Sequence, residues 1–154
     1  KVEQEGLDFY TQAAERVADP SGKEMLFSLA EAEKGHFNAL KRQFDSLAAG
    51  QGWVRVIEPP QKAIDWQKPL IPPDRAAAQQ AVGAHAGDLE ALHFALELEN
   101  NAYNLYREEA TKVEDPTGKA MYEYLAAWEQ DHFNLLMLNY EHLSSVGRWY
   151  GWEK

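Results

Sequence analysis

The chain contains no cysteine. That absence removes disulfide frameworks, thiolate-bound zinc, iron–sulfur clusters and thiol nucleophiles together, so any metal must sit on histidine and carboxylate. Positive charge is also scarce: 15 Lys+Arg stand against 25 Asp+Glu, a formal net charge of −10. Nucleic acids and anionic membranes both recruit clustered cations, so neither is an expected partner. No apolar run approaches the ~18 residues of a membrane span, and no charged-then-apolar leader is present. The sequence therefore predicts a soluble, cytoplasmic protein. What remains is 154 residues, 45% apolar and 12% aromatic, which is ordinary for one folded domain and too apolar for a disordered chain.

The chain repeats itself at a shift of 96 residues. Residues 3–48 overlay residues 99–144 without a gap, with identities at Glu3/Glu99, Tyr10/Tyr106, Asp19/Asp115, Pro20/Pro116, Gly22/Gly118, Met25/Met121, Leu29/Leu125, Glu33/Glu129, His36/His132 and Leu40/Leu136, among others. Each copy reads as a helix, an Asp-Pro hinge and a longer helix with 3.6-residue apolar spacing. Asp at the N-cap followed by Pro at the first helical position starts a helix efficiently, because the N–H that Pro lacks is not needed there. Ser21 with Glu24 offers a competing capping box in the first copy.

These signals predict helices at about 1–18, 20–48, 88–114 and 116–146. Between the second and third lie residues 49–87, where Pro59, Pro60, Pro69, Pro72 and Pro73 break any long helix and only 74–82 looks helical. The second helix would be about 40 Å long at ~1.5 Å per residue, and a connection of this length can return along it. The expected fold is all-α: a single ferritin-like four-helix bundle over 1–154, made of two antiparallel helix hairpins joined by a long crossover. The third helix starts earlier in its repeat than the first can, so roughly two further helical turns are expected upstream of Lys1.

The apolar stripe of the second helix runs Leu26, Leu29, Ala30, Phe37, Leu40, Phe44 and Leu47, and Glu33 and His36 complete its middle. The fourth helix repeats the anomaly with Glu129 and His132 between Met121, Leu125, Ala126 and Phe133, Leu136, Tyr140. An i, i+3 pair shares one helix face, so each Glu-x-x-His aims a carboxylate and an imidazole at one point in the bundle. Glu3 and Glu99 supply facing carboxylates. One buried ionised carboxylate costs several kcal/mol, and four together would resist folding or take up protons unless something positive joins them. Two divalent ions cancel four carboxylates while both imidazoles stay neutral. Oxygen and nitrogen donors without sulfur suit iron or manganese and admit zinc.

Tyr10 and Tyr106 lie two turns beyond Glu3 and Glu99 on the same face and can either hydrogen-bond a ligand carboxylate or serve as plain core. His85, His93 and His142 have no repeat partner and read as surface or outer-sphere groups. Glu5 and Glu97 point away from the ligands and should be solvated. Trp53, Trp66, Trp149 and Trp152 should pack on the bundle or on a partner chain. Trp128 is beside a ligand in sequence but should face elsewhere.

The segments Val-Glu-Gln-Glu-Gly-Leu-Asp-Phe-Tyr (2–10), Glu-Lys-Gly-His (33–36), Leu-Glu-Asn-Asn-Ala-Tyr-Asn-Leu-Tyr (98–106) and Glu-Gln-Asp-His (129–132) resemble the rubrerythrin-like branch of the ferritin-like superfamily. The resemblance covers all four helices. It implies a non-haem di-iron site on Glu3, Glu33, His36, Glu99, Glu129 and His132, reacting with hydrogen peroxide or dioxygen in oxidative-stress defence, with Tyr10 and Tyr106 steadying the ligands. Full-length rubrerythrins carry a cysteine-ligated rubredoxin-type domain. Without it, an external electron-donor protein such as a rubredoxin is implied. The additional Glu that those proteins carry three residues after the third-helix ligand is Ala102 here, and its repeat equivalent is Gly6, so the six-ligand set also resembles a ferritin-type oxidase. The alternatives are therefore an iron-binding ferroxidase for storage or detoxification, substrate hydroxylation, and a helical module with a vestigial site. By family analogy the crossover and its aromatics could support a homodimer.

Overall fold

The computed structural model describes residues 1–55 and 86–150. The middle of the predicted crossover, with the helix expected at 74–82, Trp66, His85 and Trp152, lies outside the described residues. Among the described residues there are four helices: α1 (Val2–Arg16), α2 (Pro20–Ala48), α3 (Ala86–Lys112) and α4 (Pro116–Val146). No strand occurs among the described residues. The four pack as a bundle of two hairpins, α1 on α2 and α3 on α4, with α1 also against α3. Among the described residues no helix is long and apolar enough to cross a membrane.

The hinges form as the sequence dictates. Asp19 Oδ1 accepts from Ser21 N at 2.8 Å and Gly22 N at 3.1 Å, and Asp115 Oδ1 accepts from Thr117 N at 2.8 Å and Gly118 N at 3.2 Å. Both aspartates are extended and each is followed by Pro, so cap and first helical residue are set together. Asp19 itself is the cap of α2, in place of the Ser21–Glu24 box. Observed α1 is shorter at its C-terminus than the predicted helix, because Val17 turns extended and buries its side chain. Observed α3 runs two residues earlier at each end than 88–114.

The core has two parts. The larger joins Tyr10, Ala13 and Ala14 of α1, Val17 of the first hairpin's turn, Met25, Leu26 and Leu29 of α2, Leu92 and Ala95 of α3, and Leu136 and Leu143 of α4. The smaller, at the opposite end, joins Tyr106, Met121, Leu125 and Ala126 with partly buried Val2, Leu40, Trp53 and Tyr122. The size difference corrects one expectation: Phe44 and Leu47 were assigned to the stripe of α2, yet Phe44 is 71% and Leu47 41% exposed. Their repeat equivalents on α4 are covered, Leu143 fully, by the first turns of α3 through Leu89, Leu92 and Leu96. Among the described residues nothing stands in the same place over α2.

The two hairpins are locked by a reciprocal clasp. The repeat visible in sequence at 3–48 and 99–144 continues in structure to 54 and 150. Val54 N donates to Gln43 Oε1 at 2.9 Å and Gln43 Nε2 donates back to Val54 O, while Tyr150 N donates to Asn139 Oδ1 at 3.3 Å. Ser46 Oγ donates to Gly52 O at 2.7 Å, and His142 Nδ1 lies 2.8 Å from Arg148 O in the matching position. These bonds fold each tail back so that its Trp crosses to the other hairpin. A Cβ on Gly22 would meet Trp149 at 2.5 Å, and one on Gly118 would meet Trp53 at 2.6 Å. Only glycine lets each indole lie on the helix backbone.

Candidate metal centre

Each Glu-x-x-His sits in mid-helix, where the backbone is fully hydrogen-bonded and the side chains have no local backbone partner to turn to. Glu33 and His36 of α2 and Glu129 and His132 of α4 are all buried, as are Glu3 of α1 and Glu99 of α3. The six converge as two overlapping groups of four: Glu3, Glu33, His36 and Glu129, and Glu33, Glu99, Glu129 and His132. Within each group one donor atom per residue lies within 4.8 Å of the others, close to the spacing of donors that sit ~2.0–2.2 Å from a shared ion. Glu33 and Glu129 belong to both groups, whereas Glu3 and His36 serve one and Glu99 and His132 the other. The arrangement follows the sequence repeat, with each hairpin contributing to both groups.

The donors approach one another without bonding well to one another. His36 Nδ1 lies 3.0 Å from Glu129 Oε1 and 3.4 Å from Glu3 Oε2, and His132 Nδ1 lies 3.5 Å from Glu33 and 3.7 Å from Glu99. Yet both oxygens of Glu3, both of Glu129 and Oε2 of Glu99 are buried and receive no well-oriented hydrogen bond. Buried carboxylate oxygens are normally satisfied. Here they aim at common points, which fits a cation better than a salt-bridge network. Four carboxylates balance two divalent ions, so the donor set and its charge can accommodate a metal pair.

The electrostatics of the protein part agree. Burial pushes the Glu33 carboxyl well above the ordinary range, with His132 opposing and Glu129 adding to the shift. Burial likewise raises Glu99, to about 8, with Glu129 reinforcing it. For His36 burial disfavours the charged ring, but the close approach of Glu129 and Glu3 outweighs this and pushes it up to about 10. His132 is raised well above its usual value in the same way, against burial, by Glu129, Glu33 and Glu99. Burial would raise Glu129 too, but Glu99, His132 and His36 together hold it well below the carboxylate range. The directions of these shifts favour protons on Glu33, Glu99, His36 and His132 when no other cation neutralises the cluster.

The flanking residues differ from one another more than the repeat predicts. Tyr10 is buried and its hydroxyl donates to Glu99 Oε1, reaching across to the other hairpin. Burial first, then the charge of Glu99, pushes its phenol well above normal and keeps it a donor. Tyr106 is equally buried but stacks on Tyr122 with ring centroids 6.2 Å apart, and makes no hydrogen bond to a ligand among the described residues. Glu5, Glu97 and His93 are exposed, as expected. His142 is buried, far from any ligand role, in the tail clasp. Gly6 lies against Glu33, where a Cβ would meet the carboxyl at 3.2 Å, and Ala102 is buried.

Sequence reasoning misplaced Trp128. It does not face away: its ring lies edge-on to both ligand imidazoles, 5.9 Å from His36 and 6.0 Å from His132. The two imidazoles stack at 5.6 Å with planes 20° apart, so one indole spans both. Trp128 precedes Glu129 and lies four residues, about one turn, before His132 on α4, so it is rotated only partly off the ligand-facing side, and a side chain as wide as Trp covers the difference. Trp53 and Trp149 pack on the bundle as expected, but Gln43 and Asn139, which hold their tails, carry no sequence signal beyond the 96-residue shift that all four residues obey. No protein-family model, curated protein or solved structure matches the chain.

Proposed function

We propose that the protein is a ferritin-like, rubrerythrin-type oxidoreductase whose buried cluster holds two iron ions and reduces hydrogen peroxide or dioxygen, with electrons from an external donor protein. The observation that carries this reading is the pair of overlapping four-donor groups sharing Glu33 and Glu129 in the core. Two adjacent redox metals, when bound, supply two electrons and polarise an O–O bond. The chain's own residues do the rest. Glu33 and Glu129 tie the two halves of the site together, Glu3 and Glu99 complete its charge, and His36 and His132 hold one orientation through stacking and Trp128. Tyr10 fixes Glu99 by donating its hydroxyl hydrogen bond to it. The packed core on both sides excludes bulk water.

One observation favours a second reading, a ferroxidase that oxidises Fe(II) and passes it onward. Gly6 and Ala102 add no carboxylate beside the six donors, and Gly6 is packed against Glu33, where even a Cβ would meet the carboxyl at 3.2 Å. The discriminating experiment loads the protein anaerobically with two Fe(II) per chain and adds peroxide or dioxygen to separate samples. Faster oxidation by peroxide, with iron retained and re-reducible, supports the peroxidase. Preference for dioxygen with iron released and further Fe(II) consumed supports the ferroxidase. Failure to bind two metals contradicts both.

A further inference from the structure

Trp128 is the single aromatic bridge among the described residues from both ligand imidazoles toward the surface. Beyond its contacts to His36 and His132, its ring meets Tyr124 edge-on at 5.9 Å. Tyr124 lines an open pocket of about 350 Å³ with Arg55, Pro116, Thr117, Ala120 and Met121. Both Trp128 and Tyr124 are half-buried. The repeat does not build this path twice: the positions equivalent to Trp128 and Tyr124 are Ala32 and Ser28. Apart from cysteine, which the chain lacks, indole and phenol are the side chains most readily oxidised by one electron. Electron transfer decays steeply with distance, so rings in edge contact are favoured carriers.

Tyr10 is nearer to a ligand but leads nowhere. It is 1% exposed, and its ring neighbour Phe9, followed by Phe94, is not oxidised under the same conditions.

We propose that Trp128 and Tyr124 form a one-electron relay from the ligand imidazoles to the surface pocket, supplying the missing electron when the centre meets peroxide with only one reducing equivalent. This rests on the metal reading above. Cleaving the O–O bond of peroxide takes two electrons and two protons and gives two waters. A single ferrous ion held by the ligand set would supply one of the electrons; Trp128 provides the other and becomes an indole radical cation. Tyr124 refills it, its phenol losing a proton to solvent. An external one-electron reductant of the ascorbate class, reaching the pocket, then returns the electron as the phenol regains a proton.

The test loads protein with one or two Fe(II) per chain, adds one equivalent of peroxide, and reads freeze-quenched EPR together with peptide mass spectrometry of oxygen addition. With one iron, wild type should give a Trp or Tyr radical and oxidation at Trp128 and Tyr124, at least tenfold above the two-iron sample and suppressed by ascorbate. Trp128→Phe should abolish that signal and move oxidation to other residues. Tyr124→Phe should lengthen the Trp radical's life and increase oxidation at Trp128. Co(II) titration should quench indole emission, with Trp128→Phe losing the largest share of quenching while still binding two ions, which shows that the variant is folded. A radical unchanged in Trp128→Phe, or located on Tyr10, overturns the relay alone. No metal uptake by wild type overturns the metal reading and the relay with it.

Discussion

Six side chains define the centre, and they are not equivalent. Glu33 and Glu129 are shared by both donor groups, whereas Glu3 and Glu99 each belong to one. Glu129→Ala should therefore abolish uptake of both ions, while Glu3→Ala should leave one bound, as read by Co(II) titration. Equal losses would contradict the shared-ligand geometry. Gly6→Ala sets a Cβ 3.2 Å from the Glu33 carboxyl, tight enough to displace a ligand and not tight enough to unfold a helix. It should weaken metal binding at least several-fold while changing thermal stability little. The six converging buried donors were legible in sequence because charged groups on an apolar stripe are costly unless they do something, and because the stripe is duplicated. Trp128 was not, because spacing gives the direction of a Cβ and not the breadth of an indole.

At the scale of elements, the helix starts are local chemistry and the clasp is not. Asp19→Ala or Asp115→Ala removes two backbone hydrogen bonds at a helix start and should cost about 0.5–2 kcal/mol in denaturant unfolding. The glycines of α2 separate two physical roles. Gly22→Ala drives a methyl into Trp149 at 2.5 Å and should destabilise by about 1–3 kcal/mol. Gly35→Ala, with nothing within 4 Å of the added methyl in mid-helix, should stabilise by about 0.5–1 kcal/mol. Similar effects at both positions would show that the clasp is not formed. Asp-Pro hinges and 3.6-residue stripes made the four helices readable. The clasp could not be read from either alone, since it joins residues 127 apart through Trp149 and Gly22, and only the 96-residue shift relates its two halves. Phe44 and Leu47 show the converse limit. Periodicity marks a face as apolar, but whether another element covers it is decided by tertiary placement.

Across the whole molecule, the buried cluster ties stability to pH and, on the proposed metal reading, to metal. Without metal, Glu99 sits at about 8 against 4.5 and His36 at about 10 against 6.5. Both are raised, so the stability each contributes is full below the lower value and is lost as pH rises through the higher one. Glu129 is shifted the other way, and its contribution fades only as pH falls below about 4.5. Between pH 5 and 10 the metal-free protein should therefore lose thermal stability steadily, whereas the metal-loaded protein, with ions in place of protons, should not. The gap between their melting temperatures should widen with pH. A gap that narrows would contradict the proton-for-metal exchange.

The most direct test of the central claim, that the core of this bundle is built to hold two metal ions, is a calorimetric titration of metal-free protein with Co(II) at neutral pH in buffers of different ionisation enthalpy. Saturation at two ions per chain, with protons released and with stoichiometry abolished in Glu129→Ala, is the predicted result. Saturation at one ion, or no uptake by a folded protein, would contradict it.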